Sequence, residues 1–405
     1  MIPKLRNNLD FMPATTEQGD QVFIIQDPVG LLSEPVMISQ EMAMVLQILE
    51  SAETIEDLQV TLTRLQGGQI VTKDEIQKIF QELDEKFLLD TETYRKAYQK
   101  VLDEYKKEKI RTLTCAEFCY PRDPEELKRQ INHALSQAEP PDLKGKLAAI
   151  MSPHIDLREG MPSYGKAYRI LSEVQQKPKV VVVLGVGHFM DEGYFCVTHK
   201  AFETPFGKIE TALPLVERFS SLPMPTVTPH DFFHKNEHSI EFQLLFLHHL
   251  LGDSFKILPI LCGSFHSGLD TCSRASEMKE IQPAIELLKE IHNEYGDDLL
   301  FVAGVDLSHV GKKFGDELTA HDIIPYSEEA DKKILEKLQA CDGPGFWQEI
   351  KKVDDKYHIC GFSTLSLLLE ILPPCKGHLL DYQIWREEPT QSAVSFASMV
   401  FEKLE

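Results

Sequence analysis

The stretch Val180–His188 reads VVVVLGVGH: four valines and a leucine in succession, then glycine, valine, glycine and histidine. A β-branched apolar run without polar alternation predicts a strand buried on both faces, as at the centre of a parallel sheet. The glycines predict a sharp turn of the backbone as it leaves the sheet. Parallel sheets bind ligands outside the carboxyl ends of their strands, so His188 stands where chemistry is expected. Two other apolar runs end in the same way. Leu147–Met151 (LAAIM) is closed by Ser152, Pro153 and His154, and Leu299–Val305 (LLFVAGV) by Asp306, Leu307, Ser308 and His309. A single histidine in that position is usually structural; three in the same topological position predict a site.

The chain has 405 residues, enough for two or three domains, with 42% hydrophobic and 26% charged residues. Its formal net charge of -22 disfavours a nucleic-acid or anionic-membrane surface, which needs concentrated Lys and Arg. The N-terminal MIPKLRNNLDF lacks the apolar core of a signal peptide, and no stretch has the apolar length of a membrane span. The eight cysteines are scattered, which fits a reducing compartment and a cytoplasmic protein better than a disulfide framework.

In the N-terminal third, residues 21–37 predict two short strands around a turn at Asp27–Pro28. Ser39 can cap a helix through Gln40–Leu49. Thr54 with Asp57, and Thr72 with Glu75, are capping-box spacings ahead of two further amphipathic helices. Phe87-Leu88-Leu89 then predicts a strand. This order, hairpin, three helices and strand, resembles the winged-helix-like PqqD-type domains, which present leader peptides to radical enzymes. A helical accessory domain without a ligand fits the same pattern. Thr93–Lys109 is charged with sparse apolar positions and predicts an exposed connecting helix. The expected organisation is therefore residues 1–92 as a small helical winged-helix-like domain, 93–112 as a connector and 113–405 as an α/β domain.

The α/β texture of the last part predicts a mostly parallel central sheet flanked by helices, with right-handed crossovers. A helix is expected near Tyr164–Val174, and strands and helices alternate as far as the apolar helix Phe362–Leu372. Glu237–Leu251 (EHSIEFQLLFLHHLL) predicts a strong helix in which His238 and Glu241, three apart, share a face. That pair suits metal ligands, an acid/base couple or the polar edge of a core helix. Cys115 and Cys119 are spaced like half of a zinc site, but no second pair lies nearby. Cys360 precedes the apolar helix, where the helix dipole favours a thiolate; on spacing alone a small buried hydrophobe is the better reading.

Seven of these segments resemble, in order, the successive motifs of the Memo family: Tyr120-Pro121, Ser152-Pro153-His154, Leu184-Gly185-Val186-Gly187-His188, Thr204-Pro205, Glu237-His238-Ser239-Ile240-Glu241, Asp306-Leu307-Ser308-His309 and Ile359-Cys360-Gly361. The resemblance spans about residues 115–403, and the extra N-terminal domain resembles the bacterial branch, protein B of the AmmeMemoRadiSam system. It implies the fold of the class III extradiol dioxygenases. It also implies one copper or iron ion, with zinc a further fit, held by His154, His188 and Cys360. Asp306 and His309 match the second polar wall of the family's pocket, and His238 and Glu241 a further motif; these four are the candidate catalytic residues. A radical-SAM protein and a third small protein are the implied partners. The chain departs from the family at Ile155-Asp156-Leu157, where Ala-Gly-Tyr is usual, and at Phe362-Ser363, where a basic residue and a histidine often follow. Both changes alter the lining of the pocket.

Two histidines and a thiolate leave open metal positions, and the thiolate selects copper(I), zinc or iron over magnesium or calcium. His309 is a candidate proton donor or acceptor near neutral pH. Three functions follow: a metal-dependent oxidoreductase acting on an unknown substrate, a metal-binding adaptor without turnover, and a peptide-presenting module that works through the N-terminal domain.

Overall fold

The computed structural model describes residues 2–16, 19–32, 36–65 and 67–404, and the chain divides into two compact units, Met1–Lys107 and Glu108–Glu405. In the first, β1 (Asp10–Thr15), β2 (Gln21–Gln26) and β3 (Val36–Ser39) form an antiparallel sheet in that order. The β2–β3 pair matches the expected hairpin, although residues 33–35 of that stretch lie outside the described residues. β1 is an addition: Pro13 interrupts its pattern, which an edge strand tolerates. At the turn, the Asp27 carboxylate accepts the N–H groups of Val29, Leu31 and Leu32 and pairs with the buried Arg6 at 2.8 Å.

Helix α1 (Gln40–Ser51) starts at Ser39, whose hydroxyl accepts the Met42 N–H at 3.2 Å. α2 (Ile55–Leu65) and α3 (Lys73–Glu85) open on the Thr54/Asp57 and Thr72/Glu75 pairs, each with reciprocal bonds. Their apolar faces bury Leu46, Leu49, Leu58, Leu62, Ile76 and Leu83 against Ile25 and Ile38 of the sheet. The strand expected at Phe87–Leu89 reduces to one bridge, Leu89 with Leu5. α4 (Glu92–Lys107), read from its charges as an exposed connector, buries Tyr94 and Tyr105 within the first unit.

The second unit runs β4 (Ile110–Arg111), α5 (Pro124–Ser136), β5 (Leu147–Ser152), α6 (Leu157–Tyr168), β6 (Val180–Val186), β7 (Phe195–Val197), β8 (Ala201–Thr204), β9 (Gly207–Ile209), α7 (Leu213–Ser220), α8 (His238–Leu251), β10 (Lys256–Cys262), α9 (Gln282–Tyr295), β11 (Leu299–Gly304), β12 (His309–Gly311), α10 (Ala320–Gln339), α11 (Gly343–Lys351), α12 (Phe362–Ile371), β13 (Cys375–Glu387) and β14 (Ser392–Lys403). The main sheet has the order β12-β14-β5-β11-β6-β10-β7, with β13 beyond on β14. β5, β11, β6 and β10 are mutually parallel and form its centre. Antiparallel strands extend both sides: β7 on β10, and β14 on β5. α6 begins seven residues before the expected helix, because Asp156 caps it by accepting the Arg158 N–H at 2.9 Å.

β6 is buried along its valines, and the strand's period of two divides them between the sheet faces. Val180, Val182 and Leu184 join one core and Val181 and Val183 the other. α12 covers the first face with Leu365, Leu367 and Leu368, and α8 the second with Ile240, Leu244 and Leu247. Both helices start at the carboxyl edge of the parallel strands. The chain turns as expected just past the strand, where the Met190 N–H donates to the Gly187 carbonyl at 3.2 Å, although neither Gly185 nor Gly187 takes a positive φ. Gly185 instead permits close approach: a Cβ there would meet Ser239 Oγ at 2.6 Å and Ile240 Cγ1 at 2.7 Å, pushing α8 off the sheet. Among the described residues no helix is long and apolar enough to cross a membrane.

Candidate metal centre

His154 follows β5, His188 follows β6, and Cys360 precedes α12, whose first turn faces the same sheet edge. The three meet. Cys360 Sγ lies 3.2 Å from His154 Nε2 and 3.5 Å from His188 Nε2. Each imidazole is oriented by its other nitrogen. His154 Nδ1 is 2.9 Å from the carbonyl oxygen of Gly304, which can only accept, so Nδ1 carries the proton there. His188 Nδ1 lies 3.0 Å from Glu237 Oε2 and donates to that carboxylate. Both rings therefore turn Nε2 toward Cys360. Such outer hydrogen bonds are how proteins aim histidine ligands at a metal.

Glu237 is the residue whose role is not legible in the sequence. It is buried, it caps α8 by accepting the Ser239 N–H at 2.9 Å, and it also accepts the His188 N–H at 3.2 Å. One carboxylate thus ties the α8 terminus to the His188 loop. The signal available in sequence was an acidic residue immediately ahead of a helix, which reads as a cap and nothing more.

His238, the first residue of α8, joins the same cluster. Its ring lies parallel to that of His188 at 5.0 Å and edge-on to that of His154 at 5.3 Å. Among the described residues, a nitrogen from each of His154, His188 and His238 lies within 4.8 Å of the other two, a spacing that could hold a metal ion. Glu241 is not brought to this cluster. It is buried on the far side of the helix turn, paired with Arg111 of β4, and accepts bonds from the Tyr120 hydroxyl, Thr114 Oγ1 at 2.8 Å and the Cys115 N–H at 3.0 Å.

Asp306 forms a buried wall of the pocket. Its Oδ1 accepts the His154 N–H at 2.9 Å, and Oδ2 lies 3.7 Å from His154 Nε2. The backbone locks this wall to the thiol: the Gly361 N–H donates to the Asp306 carbonyl at 3.0 Å and the Cys360 N–H to that of Leu307 at 3.2 Å. His309 is in β12, with Nδ1 3.0 Å from the Leu307 carbonyl and its ring edge-on to Phe314 at 5.0 Å. It lies on the same loop as Asp306 but outside the three-histidine group.

The electrostatics follow from these neighbours. Burial opposes ionisation of the Cys360 thiol, but the imidazoles of His154 and His188 overcome it and bring the thiol down to about 5. Burial likewise opposes charging of His154, and the negative Cys360 and Asp306 raise it to about 9. His188 is raised well above its ordinary value against its burial, by Glu237 and Cys360. His238 is pushed down to about 3 by burial and by the His188 and His154 rings, despite Glu237. Near neutrality the pocket therefore holds a thiolate among imidazoles, and the protons on the inward nitrogens occupy positions that a cation can take.

A family model described as Memo-like protein matches residues 111–400. A MEMO1 family protein of Aquifex aeolicus is 32% identical over 405 residues, covering 99% of this chain and 100% of its own, so the match runs through both units. A MEMO1 family protein of Thermus thermophilus is 25% identical over 86% of this chain and 98% of its own, and one of Methanopyrus kandleri is 24% identical over 70% and 96%. The match over most of the chain, in the region that builds the pocket, shows that the chain belongs to the Memo family.

Proposed function

We propose that the protein is a metal-dependent redox enzyme of the cytoplasm, holding one copper or iron ion at His154, His188 and Cys360 and working beside a radical-SAM protein and a third small protein. The observation that carries this reading is the convergence of two oriented imidazole nitrogens on one sulfur at 3.2 and 3.5 Å. The donors fit a soft or borderline cation, since thiolate and imidazole suit copper, iron and zinc and do not suit magnesium or calcium. Bound there, copper or iron would supply electron-transfer chemistry, and zinc only Lewis acidity.

The chain's own groups have separable tasks. Glu237 and the Gly304 carbonyl hold the ligand rings in register. Asp306 keeps a negative wall beside His154. His238, uncharged near neutrality and about a third exposed (34% of its side chain), is placed to accept a proton at the pocket mouth or to serve as a further donor. His309 offers a second proton-handling group on the Asp306 loop. Glu241 holds the α8 terminus through Arg111 and does no chemistry.

Anaerobic purification followed by metal analysis tests the reading. About one copper, iron or zinc ion per chain is expected in wild type, and little in the triple variant His154→Ala, His188→Ala, Cys360→Ser. Equal metal in both would remove the basis of the enzyme reading.

A second reading, peptide presentation by the first unit, is favoured by β3. Among the described residues this strand pairs on one side only, with β2, and its Met37 is 63% exposed. An open strand edge can accept an extended peptide as an added strand. Binding of a partner-derived leader peptide by a variant with Pro at Met37, as tight as by wild type, would count against it.

A further inference from the structure

β10 ends at Cys262, and the chain leaves the carboxyl edge of the sheet through Gly263 and Ser264. Ser264 Oγ lies 2.9 Å from His266 Nδ1, and His266 Nε2 lies 2.7 Å from Asp355 Oδ2. The proton positions follow from these partners. A carboxylate can only accept, so Nε2 of the neutral ring carries the proton and donates it to Asp355. Nδ1 is left with a lone pair, and the Ser264 hydroxyl donates to it. Asp355 Oδ1 accepts the Ile359 N–H at 2.9 Å, so both carboxylate oxygens are engaged. A serine bonded to a histidine that a buried carboxylate orients is the arrangement of an activated nucleophile.

Separate elements hold the three side chains. Asp355 is buried and comes from the segment between α11 and α12, 89 residues from His266. It takes a φ of 44° next to Asp354 at 53°, a left-handed conformation that residues with a Cβ rarely adopt. Its N–H donates to the Ile350 carbonyl at 3.1 Å and its carbonyl accepts the His358 N–H at 2.8 Å, so the surroundings fix a bend the chain would not choose. On the other side, the Phe265 N–H donates to Ser363 Oγ of α12 at 2.9 Å and the His266 N–H to Ser264 Oγ at 3.2 Å. The His266 ring rests on Phe362, with centroids 5.1 Å apart. A serine–histidine turn alone requires no carboxylate; the bent Asp355 segment supplies one. Ser264 is exposed, as is 47% of the His266 side chain, so a solute reaches both.

We propose that Ser264, His266 and Asp355 form an esterase site that hydrolyses small carboxylic esters and uses none of the metal-centre residues. Ser264 Oγ attacks the carbonyl carbon as its proton passes to His266 Nδ1. The bond from that carbon to the leaving oxygen breaks, and the leaving oxygen takes the proton from Nδ1. An alcohol departs and an ester of Ser264 remains. Water then attacks this ester and gives one proton to Nδ1; the bond to Ser264 Oγ breaks, the serine hydroxyl recovers that proton, and a carboxylic acid leaves. One water is consumed per ester, and nothing is oxidised or reduced. Asp355 touches no substrate: it is a positioning residue that holds the ring in the tautomer whose Nδ1 accepts. With Ser264 exposed, water meets the developing oxyanion, and the rate is lower than fixed donors would allow.

The test treats the full-length protein with a fluorophosphonate probe, with and without a chelator, and maps its peptides. The adduct is expected on Ser264 in both cases, and p-nitrophenyl acetate should give a burst of about one p-nitrophenolate per chain. Ser264→Ala should lose the adduct and the burst. His266→Ala should label about a hundredfold more slowly. Both side chains are exposed, so neither alanine variant should change thermal unfolding. In Asp355→Asn the amide oxygen still accepts the Ile359 N–H, so the amide NH2 faces His266 and forces the ring proton onto Nδ1. For that variant kcat should fall with KM nearly unchanged, whereas a purely structural role would lower the thermal midpoint and leave kcat of the folded fraction intact. An unlabelled Ser264, equal labelling rates in wild type and His266→Ala, unchanged kcat in Asp355→Asn, a burst that survives Ser264→Ala, or a burst that chelator abolishes overturns the proposal.

Discussion

The first turn of α8 separates two buried polar clusters that differ in one respect. On one side, Glu241 meets Arg111, Tyr120, Thr114 and the Cys115 N–H, and donors and acceptors answer one another completely. On the other, His154, His188 and His238 turn nitrogens toward one another and toward Cys360, and the protons that His154 and His188 carry there sit where a metal cation can replace them. A closed set of charges is a clamp, and a set of imidazole nitrogens and a thiolate whose inward protons a cation can displace is a ligand site. His238 and Glu241 are three residues apart and fall in different classes, so residue type and spacing do not by themselves assign function.

The largest effect expected from breaking this contrast is on the clamp. Glu241→Ala would leave the Arg111 guanidinium buried without its partner, and loss of one partner of a buried pair costs about 3–5 kcal/mol. The shift should appear in the urea midpoint, with little effect per bound metal in the protein that remains folded. Burial opposes the ionised Glu241, but Arg111, Tyr120 and the Cys115 N–H hold its carboxyl below the ordinary 4.5. A carboxyl lowered in the folded state stabilises it fully above the unfolded value and loses that contribution as pH falls through the folded one. Acid unfolding should therefore steepen below about pH 4.5 in wild type and lose that component in Glu241→Ala. An unchanged midpoint would mean that the clamp is not closed.

The pocket should respond to pH in the opposite region. With Cys360 near 5 and His154 near 9, a cation displaces at least the His154 proton anywhere between these values. With His188 raised as well, apparent metal affinity should thus rise at least about tenfold per pH unit toward pH 9, so at least about a hundredfold from pH 6 to pH 8. Competition with a chelator of known proton dependence measures it. A flat profile would show that the metal takes donors outside this group.

A smaller effect is expected at the joint between the clusters. Glu237→Gln keeps the size of the cap but removes the charge that holds His188 Nδ1. Loss of such an outer partner typically costs 10–100-fold in metal affinity. Chelator titration of Glu237→Gln should fall in that range, with a smaller change in the urea midpoint than Glu241→Ala produces.

What was legible in the sequence follows the same division. β5, β6 and β11 are buried on both faces and therefore show as unbroken apolar runs, which located the histidines at one sheet edge. The final hairpin was not legible. β14 lies inside the sheet, yet carries Ser395 and Ser398, whose hydroxyls are satisfied by Asp331 and the Ser163 carbonyl, so its pattern reads as polar. Glu237 and Arg111 were illegible for another reason. Each acquires its role from a residue far away in sequence, His188 and Glu241 respectively, and only the packing of α8 brings them together.

The smallest effect on metal content is expected at His309, and it divides ligand from proton carrier. Its Nδ1 is engaged by the Leu307 carbonyl at 3.0 Å and its ring rests edge-on against Phe314, so the side chain is held by its own loop and not by the three-histidine group. His309→Ala should therefore leave metal stoichiometry and chelator competition unchanged. In a turnover assay the same variant should lower the rate, because one proton-handling side chain contributes typically about 10²–10⁴-fold. Loss of metal from His309→Ala would move His309 into the ligand set, and the pocket would then close around β12 as well as β5, β6 and α12.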